Sequence, residues 1–178
     1  MRLAIEAVKE GRADSVVSAG NTGALMALSK MILKTLPGIE RPAIASIFPT
    51  MEKPTVMLDL GANLECDENV LVQFAMLGAT YARVVMGIQN HTVGLLNVGT
   101  EDMKGHEEVR RASSILSSIK FHGTYHGFVE GNDITKGTVN VVVADGFTGN
   151  IALKTAEGTG KFTAHILKEA FKSSPFAM

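Results

Sequence analysis

Short apolar runs alternate along the chain with longer segments in which apolar residues recur every three or four positions. The short runs predict strands at 14–18, 43–48, 55–60, 92–98 and 139–144, since they are rich in aliphatic and β-branched residues. The longer segments predict helices at about 25–36, at 67–81, in a segment that ends at about 119, and at about 149–172. Asp67 is the predicted N-cap of the second of these helices. Within 121–129, two His-Gly pairs interrupt both the helical and the strand pattern of apolar residues, and we expect a loop followed by a short strand there.

The predicted strands are apolar on both faces, which is typical of a parallel sheet covered by helices on both sides. Repeats of fixed period, low-complexity segments and linkers rich in Gly, Ser and Pro are all missing from the sequence. We therefore expect a single α/β domain over residues 1–178. The opening MRLAIEAVKEGR lacks the apolar centre of a signal peptide, and no run of about 18 apolar residues predicts a membrane span.

Composition narrows the class of protein further. Seventeen Lys and Arg residues against 18 Asp and Glu give a net charge of -1, which argues against a strongly basic nucleic-acid binder. The single cysteine, Cys66, cannot form a disulfide framework, so we expect a protein of the reducing cytoplasm. Glycine is the exception, with 18 of 178 residues, or about 10% against an average of about 7%.

Glycine and asparagine follow nearly every predicted strand. The segments are SAGNTGA (18–24), DLGAN (59–63), LNVG (96–99), EGND (130–133) and DGFTGN (145–150). Parallel strands end at one edge of the sheet, where ligands bind, and glycine and helix N-termini there bring backbone N–H groups close to an anion. A single Asn-Gly pair is ordinary turn chemistry, but five on one edge favour a site for phosphate and a polar carbonyl.

Charged residues at the same edge admit two interpretations. Lys104 lies in the loop after a predicted strand and could bind an anion, or it could be a solvated lysine in a charged loop. Lys154, near the start of the last predicted helix, has the same ambiguity. Asp59, Asp133 and Asp145 could contact a ligand or cap the helices that follow them.

Several common catalytic motifs are missing. The sequence has no G-x-x-x-x-G-K-[ST] and no G-x-S-x-G, and the G-x-G at 158–160 lacks the third glycine of a dinucleotide site. A glycine follows both His122 and His126, which argues against a helix presenting the pair to zinc. Cys66 has no histidine placed to activate it. We therefore expect no metal, no cofactor and no covalent enzyme intermediate.

Taken in order, these segments resemble one family. SAGNTGA, LDLGAN, the VQFA at 72–75, VGLLNVG, VEGNDI and the long VVVADGFTGNIALKTAEG at 141–158 are similar to the phosphate acyltransferase family PlsX. The resemblance extends from Asp14 to about Lys172. It implies a Rossmann-like three-layer α/β/α sandwich with a mostly parallel sheet, related to isocitrate dehydrogenases and phosphotransacetylases.

The resemblance also implies a reaction and partners. Members of this family transfer a long fatty acyl chain from acyl carrier protein to inorganic phosphate and so make acyl-phosphate for phospholipid synthesis. They need no cofactor, form homodimers and work in the cytoplasm, at the inner surface of the membrane. Because acyl carrier protein is acidic, Arg110, Arg111 and Lys120 are candidates for a basic docking patch, the alternative being that each is an ordinary solvated charge on a helix.

Site residues follow from the matching motifs. The resemblance implies that Lys104 stabilises the phosphate or the oxyanion and that Asn150 donates to the reacting carbonyl or phosphate. The residues implied to line the substrate site are Asn21, Gly61, Asn63, Asn97, Asn132, Asp145, Gly146 and Lys154. An amphipathic stretch in the last helix, with Phe162, Ile166, Leu167 and Phe171, is expected to pack in the core, the membrane surface being the alternative.

Three departures from the family pattern leave alternatives open. A DAMGGD-type segment before Arg2 and a YGGAPLLG-type segment after Met178 are missing. In addition, this chain has Lys104-Gly105-His106 where KGN is usual in the family. We therefore expect a piece of a longer enzyme. The alternatives are a phosphotransacetylase-like enzyme acting on acyl-CoA, an inactive module that only binds, and a nucleotide-dependent dehydrogenase, which the missing fingerprint opposes.

Overall fold

The computed structural model describes residues 1–172. The elements are α1 (Arg2–Lys9), α2 (Thr22–Leu33), β1 (Ala45–Phe48), β2 (Thr55–Leu58), α3 (Glu68–Val84), β3 (Thr92–Leu96), α4 (Glu107–Ser118), β4 (Thr124–Val129), α5 (Gly131–Lys136), β5 (Val141–Val143) and α6 (Gly146–Lys172).

Five strands form one mixed sheet in the order β1-β2-β5-β3-β4. β2, β5, β3 and β4 pair in parallel, and only β1 runs antiparallel, against β2. The expected α/β class with a mostly parallel sheet is therefore confirmed. The carboxyl ends of the four parallel strands reach the same edge of the sheet, which we call the carboxyl edge.

Alternate strand residues serve the two faces of the sheet. Val56 and Val141 belong to a buried cluster with α3 and α4, which includes Phe74 and Leu116. The residues between them in the strands, such as Met57, pack in a second cluster on the other face. Burial on both faces explains why the strands are apolar throughout.

The prediction of a strand at 14–18 is wrong. The segment forms no strand, and Val17 is 97% exposed. Two valines supply local strand propensity, but a strand needs a neighbour that accepts its hydrogen bonds and covers its side chains. Asn21 therefore follows no strand; it is the N-cap of α2, where its side chain accepts a hydrogen bond from Ala24 N at 3.0 Å.

Other boundaries differ in smaller ways. The last helix begins at Gly146, three residues before the predicted start. The short helix α5 was not among the predicted helices. The N-cap predicted at Asp67 is confirmed, since its side chain accepts a hydrogen bond from Val70 N at 2.9 Å.

The outer part of α6 is exposed along its whole length. Residues 157–172 are all exposed, including the four apolar residues expected in the core: Phe162, Ile166, Leu167 and Phe171. That expectation is wrong for the structure as described, because no described element covers this part of the helix. Within residues 1–172, no helix combines the length and the apolar character that crossing a membrane requires.

Candidate functional site at the carboxyl edge

A buried carboxylate organises the turn after β2. Asp59 is fully buried and accepts hydrogen bonds from the backbone N–H groups of Ile44 (2.9 Å), Gly61 (3.3 Å), Ala62 (3.0 Å) and Asn63 (2.6 Å). The side-chain Nδ2 of Asn63 also donates to it, at 2.8 Å. These five donors occupy the carboxylate, so Asp59 shapes the turn and does not present its charge to a ligand.

The first turn of α6 packs directly on the turn after β2. Gly146 N donates to Asn63 O at 2.7 Å, which joins the two segments. A Cβ on Gly149 would overlap the backbone carbonyl of Asp59. The two segments touch backbone to backbone, and only a residue without a side chain fits at position 149.

The contact between α6 and the turn after β2 also brings together two of the predicted site residues, Gly61 and Asn150. A side chain at Gly61 would lie 3.5 Å from Cβ of Asn150, so the exposed carboxamide of Asn150 stands beside the turn. The side-chain nitrogen Nδ2 of Asn63 is already engaged, since it donates both to Asp59 and to Pro42 O, each at 2.8 Å. Asn150 is therefore the carboxamide of this pair that faces outward.

Asp145 caps α6. Its two oxygens accept hydrogen bonds from the backbone N and from Oγ1 of Thr148, both at 2.8 Å. This is the chemistry of an N-cap residue, in which a side chain satisfies the first free N–H groups of a helix.

The loop after β3 presents Lys104. The side chain is 51% exposed and pairs with Glu101 at 2.8 Å. The hydrogen bond with Glu101 and the negative charge of that carboxylate raise the pKa of Lys104. The same hydrogen bond lowers the pKa of Glu101. Asn97 Nδ2 donates to the backbone carbonyl of Lys104 at 3.0 Å, so this hydrogen bond stabilises the conformation of the loop.

The last two predicted contacts, Asn132 and Lys154, are exposed residues on helices α5 and α6. Asn132 is exposed on α5, a helix closed by a capping box between Glu130 and Asp133. The pKa of Asp133 is lowered by hydrogen bonds from Thr138 and from the backbone of Glu130. Lys154 forms an exposed ion pair with Glu157 at 2.9 Å, one turn further along α6.

A cleft of about 760 Å³ opens at the carboxyl edge, between the starts of α3, α4 and α6. It is lined by Arg41, Leu64, Glu65, Cys66, Asp67, Leu71, His106, Glu108, Val109, Asp145, Phe147 and Thr148. The three helix N-termini and Arg41 favour a negatively charged ligand, while four carboxylates in the lining add negative charge. Two of these carboxylates, Asp67 and Asp145, are engaged as helix caps.

Sequence reasoning did not single out Arg41 or Thr148. Arg41 lies between two predicted elements and reaches the cleft by a tertiary contact, in which Nη1 donates to Glu65 O at 3.3 Å. Thr148 was visible within DGFTGN, where the aspartate is a recognisable N-cap residue whose acceptors lie close to the residue three positions later.

Cys66 lies in the wall of the cleft and is buried. Burial, reinforced by the charges of Asp59 and Asp145, raises the pKa of the thiol to about 11. A thiol with this pKa is protonated at neutral pH and is a poor nucleophile. Among residues 1–172, no group of three or more His, Cys, Asp and Glu side chains is placed to hold a metal ion.

Solved structures share this fold. The EutD phosphotransacetylase from Staphylococcus aureus matches 90% of the chain with a TM-score of 0.67 and 20% sequence identity, over 55% of its own length. A phosphotransacetylase from Streptococcus pyogenes matches 90% of the chain with a TM-score of 0.66 and 19% identity. At this identity the similarity supports the Rossmann-like α/β fold.

Other proteins have much higher sequence identity to this chain than these two structures have. The phosphate acyltransferase of Rhodospirillum centenum is 63% identical over 177 residues, and that of Paramagnetospirillum magneticum is 59% identical over 177 residues. In both cases the match includes 99% of this chain and 50% of the relative, so the chain spans about half the length of these relatives. The family described as fatty acid synthesis protein matches residues 1–178, and with this agreement along its whole length the chain belongs to that family.

Proposed function

We propose that the chain contributes the carboxyl-edge site of an enzyme that transfers a fatty acyl group from acyl carrier protein to inorganic phosphate. The observation that carries this proposal is the cleft, where three helix N-termini and Arg41 meet. Its lining includes His106, two residues after Lys104, and Thr148, two residues before Asn150. Such a cleft suits an anionic substrate. Membership of the family, whose relatives are named phosphate acyltransferases, supports the reaction.

The reaction requires no nucleophile from the protein. An oxygen of phosphate attacks the thioester carbonyl, the C–S bond of the tetrahedral intermediate breaks, and the carrier leaves as a thiolate that takes up a proton. The protein has to hold the phosphate, align it with the thioester and stabilise the oxyanion. The raised pKa of the Cys66 thiol agrees with a direct transfer.

Lys104 and Asn150 are the proposed catalytic residues. The ammonium group of Lys104 stays charged, because the hydrogen bond and charge of Glu101 raise its pKa, and it can turn from Glu101 to phosphate or to the oxyanion. Asn150 offers a neutral donor beside Gly61. Neither residue is buried, so both are accessible to a substrate.

The remaining residues divide by their positions. We propose that the backbone at Gly61, Asn63 and Gly146 lines the phosphate site, with Asp145 holding the start of α6. The substrate contacts of Asn21, Asn97, Asn132 and Lys154 stay predictions.

The partners are proposed on the same basis. Acyl carrier protein is the donor, the enzyme is a cytoplasmic homodimer, and it works at the membrane surface. The exposed apolar residues of α6 support contact with another surface. In the proposed basic patch, Arg111 is already paired with Glu107 and lies 3.9 Å from Glu68. Arg110 is half-buried and its Nε is buried, whereas Lys120 is exposed, so Lys120 is the patch residue for which a carrier contact is better supported.

The test is phosphate-dependent release of the carrier thiol. It uses this chain and a hybrid in which these 178 residues replace the matching half of the Rhodospirillum centenum relative. We expect Lys104→Ala to lower the rate in the hybrid about tenfold or more, because one stabilising donor is removed. Lys30→Ala, an exposed substitution on α2, is the control and should leave the rate unchanged. A folded hybrid that releases thiol equally well with and without phosphate would overturn the proposal.

A further inference from the structure

The loop after β3 is closed around Lys104. The backbone N of Lys104 donates to Glu101 O at 3.0 Å, and its carbonyl accepts from Asn97 Nδ2 at 3.0 Å. The backbone of this lysine is therefore held at both its donor and its acceptor.

The side chain of Lys104 lies over Gly99. A Cβ placed on Gly99 would stand 2.5 Å from Cδ and 3.1 Å from Nζ of Lys104, and 2.7 Å from Oε2 of Glu101. The space that a side chain at position 99 would need is thus filled by the lysine and its partner. An exposed lysine otherwise samples many rotamers, and fixing one of them has an entropic cost.

From this geometry we propose that Gly99 is a positioning residue for Lys104. The missing side chain at position 99 leaves the space in which the lysine lies against the strand exit, and this sets the location of the ammonium group. The inference rests on the proposed function, because it gives Gly99 a purpose only if the ammonium acts on phosphate or on the oxyanion. A displacement of a catalytic group by about 1 Å can cost on the order of a hundredfold in rate.

Gly99 allows a clean test because its backbone tolerates alanine. Its φ angle is outside the left-handed region, and the atoms that alanine would meet are the far ends of two flexible side chains. Gly99→Ala should therefore fold, with Lys104 displaced. Gly105 is unsuitable, because its φ is 87° and a Cβ there would overlap the carboxamide of Asn97.

A matched control exists at the next strand exit. Gly131 follows β4, has no neighbour within 4 Å of an added Cβ, and has no left-handed φ. Gly131→Ala therefore changes a glycine in an equivalent position without meeting a side chain.

The first experiment measures the geometry in the unaltered 178-residue chain by NMR. We expect NOEs between the α protons of Gly99 and the δ and ε protons of Lys104. In Gly99→Ala these contacts should disappear, and the pKa of the Glu101 carboxyl should return toward its ordinary value, because its hydrogen bond with Lys104 is lost. Gly131→Ala should show neither change. A wild-type chain without these NOEs would overturn the proposal.

The second experiment measures the consequence in the hybrid described above. Gly99→Ala should lower kcat for phosphate-dependent thiol release about tenfold or more, with the KM for the acyl donor unchanged and the melting temperature within about 2 °C of the parent. Full activity in Gly99→Ala, together with loss of activity in Lys104→Ala, would contradict the positioning role while leaving the proposed function intact. Full activity in Lys104→Ala would instead contradict the proposed role of Lys104.

Discussion

At the scale of single residues, the acidic side chains of the carboxyl edge turn out to hold the backbone. Asp59, Asp133 and Asp145 all follow strands, and sequence alone allowed each to bind a ligand or to cap a turn. In the structure, all three accept hydrogen bonds from nearby backbone N–H groups. The three carboxylates are thereby engaged by backbone N–H groups, beside the cleft that we propose as the phosphate site.

Removing the carboxylate of Asp59 should be costly. Asp59→Ala leaves up to five donors without their acceptor in a buried turn, and we expect the free energy of unfolding to fall by about 3 kcal/mol or more. Urea unfolding followed by circular dichroism measures the change. Asp14→Ala is the control, since Asp14 is exposed in a segment without secondary structure. Equal stability of the two variants would show that Asp59 does not organise the turn.

Cys66 provides a prediction about pH. Burial raises its pKa from 9.0 to about 11, so the folded chain favours the neutral thiol. This contribution to stability is complete below the unfolded pKa of 9.0 and is lost as the pH rises through about 11.

At about pH 8, alkylation of Cys66 by iodoacetamide should be at least about tenfold slower in the folded chain than in urea, because the thiolate fraction is smaller. Mass spectrometry at timed intervals measures both rates. Similar rates in the two states would contradict the assignment of a buried, protonated thiol.

At the scale of elements, local signals were sufficient where a helix carries its own cap. Asp67 identified the start of α3 without any tertiary information. The segment 14–18 failed for the opposite reason, since a strand depends on a partner that no local pattern contains. Helix α5 was missed because six residues contain too few turns for a periodic signal, and its Gly-Asn start is also typical of a turn.

The contact between α6 and the turn after β2 should tolerate no side chain at position 149. Gly149→Ala forces the helix away from the carbonyl of Asp59, and we expect a loss of about 1–3 kcal/mol in the free energy of unfolding. Gly158→Ala on the same helix meets no atom within 4 Å and should instead stabilise the chain by up to about 1 kcal/mol. If the denaturant midpoints of both variants were higher than that of the parent, or both were lower, this account of α6 would be contradicted.

At the scale of the whole molecule, the parallel sheet explains why residues that follow different strands lie close together. Once β2, β5, β3 and β4 run in one direction, the segments after them must share an edge. The sequence therefore predicted the neighbourhood of Gly61, Asn63, Gly146 and Asn150. It could not predict that Arg41 joins the cleft or that Gly99 lies beneath Lys104, because both contacts depend on how loops fold in three dimensions.

The central claim is that phosphate itself accepts the acyl group, and the identity of the product tests it most directly. The hybrid is incubated with long-chain acyl carrier protein and phosphate, and the phosphorus NMR spectrum is followed over time. The account predicts a new acyl-phosphate resonance that grows in proportion to the carrier thiol released and is reduced in Lys104→Ala. Release of free fatty acid with no new phosphorus resonance would contradict it.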